Sequence, residues 1–443
     1  MVKHLKVRIE TRLRVKDWKG RVRSWQLSLI TWALVAVILL SYVAFIYFPN
    51  RKQFLAYAKS DETAYSVDEA LVSANTKFAF NFFRELVKED ENNNIFISPL
   101  SISTALTMTY NGAEDTTKDA ISKVLEFGSM DQEKVNQEFA NLIVSLEHAD
   151  EQVKIMIGNS IWMKQEFEPM VKSSFIDQLK TFYNGEIFTR DFGNPETVDD
   201  INGWVEEETE GKITELIQTI EPELVMFIMN ALYFKGDWII EFDEAQIQKQ
   251  DFFLPEGNTI QVDMMSTSGN FSYYSGEDFQ AVRLPYGRDK LAMYIFLPHE
   301  STPLDTFIEN LNQTSHEEYI NQLRPVGNLA IKIPKFQVEY GVKRLNSVLE
   351  KLGMGIAFNQ NSANFNGIAS VSPENLYISY VDHKAVIEVN EKGTEATAAT
   401  SVGIGVTSAP PSFIVNRPFF FEIRDDRSGS ILFMGKIVNP AQD

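Results

Sequence analysis

NRPFFFEIRDDRSGSILFMGKIVNP, residues 416–440, is the stretch whose reading decides the fold. It holds two short apolar runs, Phe419 to Arg424 and Ile431 to Ile437, whose aromatic and branched residues suit strands. A polar turn ending at Gly429 separates them, Pro418 precedes the first, and the segment closes on Gly435 to Pro440. Working outward, the same composition marks strands at Ala385–Val389, Leu329–Phe336, Leu291–Leu297, Val225–Phe234 and Val153–Met163.

Helical spacing belongs to the first third of the body. Asn75 to Lys88 places Phe78, Phe82 and Leu86 on one face, widened by Ala79 and Phe83. A turn at Asn92-Asn93-Asn94 follows, and Pro99 after Ser98 marks a helix start with Ser101, Ala105 and Thr109 along one side. Small polar residues on a buried face predict a polar network there. Thr116–Leu125 and Asp131–His148 are further helices. Helices early and strands late, without regular alternation, predict an α+β fold with mainly antiparallel sheets.

Composition narrows the function. With 44% hydrophobic and 23% charged residues among 443, the chain has material for a large core. Its net charge of −20 is uneven: nine Lys/Arg against Glu10 and Asp17 in the first 23 residues leave about −27 downstream. So acidic a body repels phosphate backbones, which excludes nucleic acid as a partner. The absence of cysteine excludes disulfides, thiolate nucleophiles and sulfur-ligated zinc.

Leu27 to Phe48 is an uncharged run of 22 residues, which as a helix spans about 33 Å, close to the hydrocarbon thickness. The basic cluster before it should stay cytoplasmic, sending the body across the membrane. The expected organisation is a cytoplasmic tail (1–26), a single-pass signal anchor (27–48), a stalk (49–73) and one domain (74–443). A cleaved signal peptide, giving a secreted protein, is the alternative; the run is long for one and lacks a small-x-small cleavage site.

No catalytic motif stands out. G-x-S-x-G, H-E-x-x-H and a complete phosphate loop are missing, and acidic pairs are expected by chance in so acidic a chain. His316-Glu317-Glu318 reads as a solvated helix start. No catalytic residue, metal or cofactor is implied, and the chain is not expected to be an enzyme.

The 416–440 stretch closely resembles the signature of the serpins, the serine protease inhibitor family, and the likeness extends from about Ala74 to Pro440. NIFISPLS (94–101) is similar to the start of the family's helix B, MNALYFKGDW (229–238) to the third strand of its main sheet, and HKAVIEVNEKGTEATAAT (383–400) to the fifth strand running into the reactive-centre loop. The resemblance implies the serpin fold: three mainly antiparallel β-sheets with about nine helices and an exposed loop that serves as protease bait. It also implies a metastable monomer acting as a suicide substrate. The cut loop enters the main sheet as an extra strand and carries the acylated protease with it.

Such a loop must be a legal internal strand, whose alternate side chains face the core. By the family's count Thr394, Ala396, Ala398 and Thr400 face inward, and Glu395, Thr397 and Ala399 outward. Every inward residue is small and uncharged, as insertion requires. Glu391 and Gly393 open this hinge, Gly393 supplying backbone freedom where the loop folds back. By the spacing typical of the family, which places the bond sixteen residues beyond Glu391 and eleven before Pro418, the resemblance implies a reactive bond at Thr407-Ser408, with Val406-Thr407 the one-residue alternative. Ile404, Val406 and Thr407 suit an elastase-like or subtilisin-like protease, and a cysteine protease stays open as a target. Ser98, Ser101, Asn230 and His383 match the family's buried shutter; Trp238 and Glu391 match its breach. The stretch matching the basic helix of polysaccharide-binding relatives has Lys134 as its only Lys or Arg, so glycosaminoglycan is not an expected partner. The rival reading is a serpin-fold binding or chaperone protein that does not inhibit.

Overall fold

The computed structural model describes residues 67–372, 375–394 and 411–442. The expected tail, anchor and most of the stalk lie outside the described residues, as do Glu395, Ala396, Thr397, Ala398, Ala399, Thr400, Thr407 and Ser408. Among the described residues, no helix is long and apolar enough to cross a membrane.

The first helix spans Glu69–Glu89, so the last residues of the expected stalk belong to the folded body. Asp68 and Glu69, placed in the expected stalk, start the helix. The Asp68 side chain accepts the Ala70 N–H, and Glu69 lies in the first turn, where negative charge is favoured. Leu71, Phe78, Phe82, Phe83 and Leu86 are fully buried, and Phe83 meets Phe420 edge-on at 5.6 Å. The helix ends in an ionic knot. Asp90 accepts hydrogen bonds from Tyr340 and from Lys343 (2.8 Å), while Glu89 accepts from Ser347 and Lys351.

The second helix, Pro99–Tyr110, is capped by the Ser98 side chain, which accepts the Ser101 N–H, and carries proline in its first turn as expected. It is buried nearly all round, packed against both the strand Met226–Asp237 and the strand Ile431–Ile437. Its hydroxyls are accommodated locally: Ser103 and Thr104 donate to the Leu100 carbonyl, and Thr107 to that of Ser103. Nine α-helices occur among the described residues.

The strands form two hydrogen-bonded sheets among the described residues. One has six strands in the order Phe336–Arg344, Asp382–Val389, Gly393–Thr394, Met226–Asp237, Val153–Lys164 and Glu186–Arg190. The other has nine, with Ile431–Ile437, Phe419–Asp425 and Leu291–Pro298 side by side at its centre. Two of the three expected sheets are continuous here because Thr259–Ser275 serves both. Residues 259–264 pair with Gln248–Phe253, residues 264–273 with Arg324–Pro334 and residues 272–275 with Phe279–Tyr286, and the register against Arg324–Pro334 shifts between Gly269 and Phe271. The run read as one strand, Leu329–Phe336, is the end of one strand and the start of another, divided at Lys335. Gly435 is required by contact, since a Cβ there would sit 2.2 Å from the Phe421 ring.

His316 departs from expectation. It is 2% exposed in the helix Gln313–Gln322, and its Nε2 lies 2.7 Å from Oε1 of the fully buried Glu422. Glu317 and Glu318 are exposed, so the tripeptide straddles the helix boundary between core and solvent, while its partner is 106 residues away in sequence.

The ionic knot predicts an acid response. Burial alone would raise the Asp90 and Glu89 carboxyls, but Lys343 and Tyr340 for Asp90, and Ser347 and Lys351 for Glu89, outweigh it and hold both below the ordinary range. Their contribution is complete above the ordinary carboxylate range and is lost as pH falls below about 4. Asp90→Asn should flatten this part of a stability-against-pH profile measured by urea unfolding. An unchanged acid limb would show that the knot adds nothing.

Candidate functional site: the opening in the six-stranded sheet

Asp382–Val389 and Met226–Asp237 flank the position that organises the site. After Val389 the chain reverses in four residues and returns antiparallel. The Asn390 N–H donates to the Gly393 carbonyl (3.0 Å), and the Asn390 Oδ1 accepts the Lys392 and Gly393 N–H groups. Thr394 then pairs on both sides, with Val389 and Gly236, and Gly393 pairs with Asp237. The fold-back belongs to Asn390, and Gly393 is not in the left-handed region. Gly393 is needed for space instead: a Cβ would lie 2.2 Å from the Gly236 carbonyl oxygen. Thr394 is buried, 5% exposed.

Below these two residues, no backbone pairing joins the flanking strands among the described residues. A cavity of about 70 Å³, lined in part by Ser98, Ser101, Asn230, His383 and Thr394, lies between them. A second of about 930 Å³ continues over the helix Pro99–Tyr110, between the segments 223–230 and 375–383.

The four expected shutter residues meet, in a different wiring from a direct strand-to-strand link. His383 Nε2 accepts the Ser98 backbone N–H (3.1 Å), and the Ser98 hydroxyl donates to the Leu432 carbonyl (2.8 Å). The Ser101 hydroxyl donates to the Asn230 carbonyl (3.2 Å). The Asn230 side chain turns to the other neighbour, donating to Asn159 Oδ1 (2.7 Å), and its own Oδ1 is buried without a partner. Asn159 was missed by sequence reading. An asparagine in the middle of the apolar run VKIMIGNSIWM was the available signal, because a strand interior disfavours it unless its amide is used.

At the top of the opening, Trp238 Nε1 donates to the Asn390 carbonyl (3.0 Å) and its backbone N–H to that of Lys392 (2.8 Å). Glu391 receives Lys335 Nζ at 3.0 Å. Burial opposes ionisation of Glu391, but a backbone hydrogen bond and Lys335 prevail and hold its carboxyl low. Trp238 and Glu391 therefore grip one turn. Lys335 and Tyr286, which stacks on Trp238 at 4.4 Å, complete the grip and were not singled out from sequence. Away from the opening, Lys134 is held by Asp68 and Glu138, each at 2.8 Å.

A model of the serpin (serine protease inhibitor) family matches residues 73–440, and the chain belongs to that family. It is 36% identical over 403 residues to an uncharacterized serpin-like protein of Methanosarcina acetivorans, covering 88% of this chain and 92% of the relative. Among solved structures, the native state of the thermophilic serpin tengpin superposes with a TM-score of 0.76 at 31% identity, covering 84% of this chain and 95% of that one. Thyroxine-binding globulin in complex with thyroxine superposes with a TM-score of 0.75 at 30% identity, covering 84% and 99%.

Burial pushes the His383 imidazole down to about 4. Between about pH 6.5 and that value the unfolded chain takes up a proton that the folded chain refuses, so stability falls as pH drops through this window. His383→Ala should remove that slope. At neutral pH it should cost about 1–3 kcal/mol in urea unfolding, because the Ser98 N–H loses its acceptor, and it should promote loop-sheet polymers. Unchanged melting with no polymers would exclude a shutter role.

Proposed function

We propose that the protein is a serine-type endopeptidase inhibitor acting as a suicide substrate. A protease cleaves Thr407-Ser408, is acylated, and is carried along as the loop enters the six-stranded sheet. Neither turnover nor a cofactor is involved. The observation that carries this reading is that Thr394 already pairs on both sides, and Gly393 on one, as the first rungs of an additional strand. Sequence supports the rest of the path, because Ala396, Ala398 and Thr400, which follow on the inward face, can be buried without stranding a charge.

The target is an elastase-like or subtilisin-like protease. Between Gly393 and Asn416 there is no Lys or Arg for a trypsin-like pocket, and the residues before the predicted bond are small or β-branched. Residues 27–48 anchor the protein in a membrane with 1–26 cytoplasmic, so the inhibitor acts as a monomer on the extracytoplasmic face; cleavage of the anchor would release it.

Incubation with a panel of elastase, subtilisin, trypsin and a cysteine protease tests the reading. The expected result is an SDS-stable complex with elastase or subtilisin, a released carboxyl-terminal peptide beginning at Ser408, and a large rise in the melting temperature of the nicked protein. A complex with trypsin alone would overturn the target assignment. Clean cleavage with no complex and no thermal gain would favour a non-inhibitory binding protein.

A further inference from the structure

We infer that Tyr183 is a positioning residue for the trap: through a buried chain of neutral side chains it fixes Asn230, and with it the strand edge against which an entering loop pairs. The consequence for trapping rests on the inhibitory reading, while the placement of the strand edge does not. Asn159 and Asn230 stand opposite one another on paired strands, so their side chains share a face. Asn159 is 2% exposed and its amide is used at both ends: its Oδ1 accepts the Asn230 amide at 2.7 Å, and its Nδ2 donates to the Tyr183 carbonyl at 2.7 Å. That carbonyl is available because the helix Ser173–Tyr183 stops there. Asn184 turns left-handed (φ 52°) and the Gly185 N–H returns to the Leu179 carbonyl, so the Tyr183 carbonyl has no helical partner.

Tyr183 is fully buried, and its hydroxyl carries the chain onward. It donates to Asn136 Oδ1 at 2.6 Å, Asn136 Nδ2 donates to Asn111 Oδ1 at 2.7 Å, and Asn111 Nδ2 donates to the Thr107 carbonyl at 2.9 Å. Asn111 caps the helix Pro99–Tyr110, and Thr107 lies in its last turn. The first turn of the same helix is tied to Asn230 through the Ser101 hydroxyl. The hydrogen bonds therefore close a ring. They leave one end of the helix at Ser101, pass Asn230, Asn159, Tyr183 and Asn136, and return to its other end at Asn111. A strand referred to both ends of one helix, directly at Ser101 and by way of the neighbouring helices at Asn111, has its spacing and its tilt fixed. A single contact cannot fix both.

No member of the chain is charged, and between Asn159 and Asn111 no buried side-chain polar atom lacks a partner. Asn111 Oδ1 also receives Gln132 Nε2 at 2.7 Å, and Asn136 Oδ1 also receives Asn111 Nδ2 at 3.0 Å. A buried network satisfied in this way is rigid, and one that loses a partner is costly. Burial raises the ionisation of the Tyr183 phenol far above neutrality, so it donates throughout the physiological range. An entering strand must pair in register with Met226–Asp237 before water releases the acylated protease. An edge already held in place shortens that search. Slackening the chain should therefore send more encounters to simple cleavage, without changing how fast the protease first associates.

The test compares Tyr183→Phe, Asn136→Leu and the two together in the intact full-length chain, beside Ile121→Val, a change at a fully buried residue off the chain. Tyr183→Phe keeps the carbonyl that Asn159 uses and removes only the hydroxyl, while Asn136→Leu removes its acceptor at similar volume. Hydrogen exchange of the 226–231 segment, read without protease, should quicken about threefold to tenfold in each single variant, and no further in the double, because one link cannot be cut twice. Ile121→Val should leave that segment at the parent rate, and either single variant serves if the other does not fold. With elastase or subtilisin, the inhibitor consumed per protease trapped should rise in both singles and not in Ile121→Val, at an unchanged association rate. Parent-rate exchange in Tyr183→Phe, effects that add in the double, or equal quickening in Ile121→Val overturns the positioning role. The exchange pattern with an unchanged partition between trapping and cleavage overturns its part in the trap. Should the pattern hold while the parent traps no protease, the chain still places the strand edge and the inhibitory reading alone is lost.

Discussion

Backbone groups that cannot reach water must find partners, and that requirement governs the six-stranded sheet. The edges of Asp382–Val389 and Met226–Asp237 face one another across a space that only two residues, Gly393 and Thr394, bridge among the described residues. A sheet parted in its middle presents the facing edges of both flanking strands to a space wide enough for a further strand to pair. Ser98, Ser101, Asn230 and His383 line this space, and Trp238, Lys335 and Glu391 gather at its upper end.

The polar groups beneath the sheet follow from the same constraint. His383 and Asn230 stand on opposite strands, yet neither hydrogen-bonds the other; each is satisfied from below or from the side, through Ser98, Ser101 and Asn159. The unpartnered Asn230 Oδ1 is the one acceptor of this group left over. At the top the arrangement is the reverse, because Trp238, Tyr286, Lys335 and Glu391 all converge on the turn that feeds the opening.

Much of this was legible in the chain. The apolar runs at Phe419–Arg424 and Ile431–Ile437 and the helix after Ser98 lie within a residue or two of where their composition puts them. The family likeness then placed the shutter, breach and hinge in neighbouring positions along one sheet. What escaped were features set by partners distant in sequence. His316 looked solvated because its flanking acids are, and Glu422 could not be seen beside it. Tyr286 and Lys335 carry no local mark of their roles, since a tyrosine at a strand end and a lysine between two strands are ordinary. The role of Gly393 was misjudged for a related reason: sequence reveals a glycine, but only packing tells whether angle or room is at stake.

The helix Pro99–Tyr110 has a consequence of its own. Hydroxyl-rich helices under a sheet would normally be wired to it, so that shifting the sheet would strip many bonds at once. Here Ser103, Thr104 and Thr107 spend their protons on carbonyls of their own helix, and only the end at Ser98 and Ser101 reaches across to a neighbouring element. The floor is thus self-contained over most of its length. The strands above it are tied to it by two contacts at one end, and the rest of the surface beneath them is a smooth bearing.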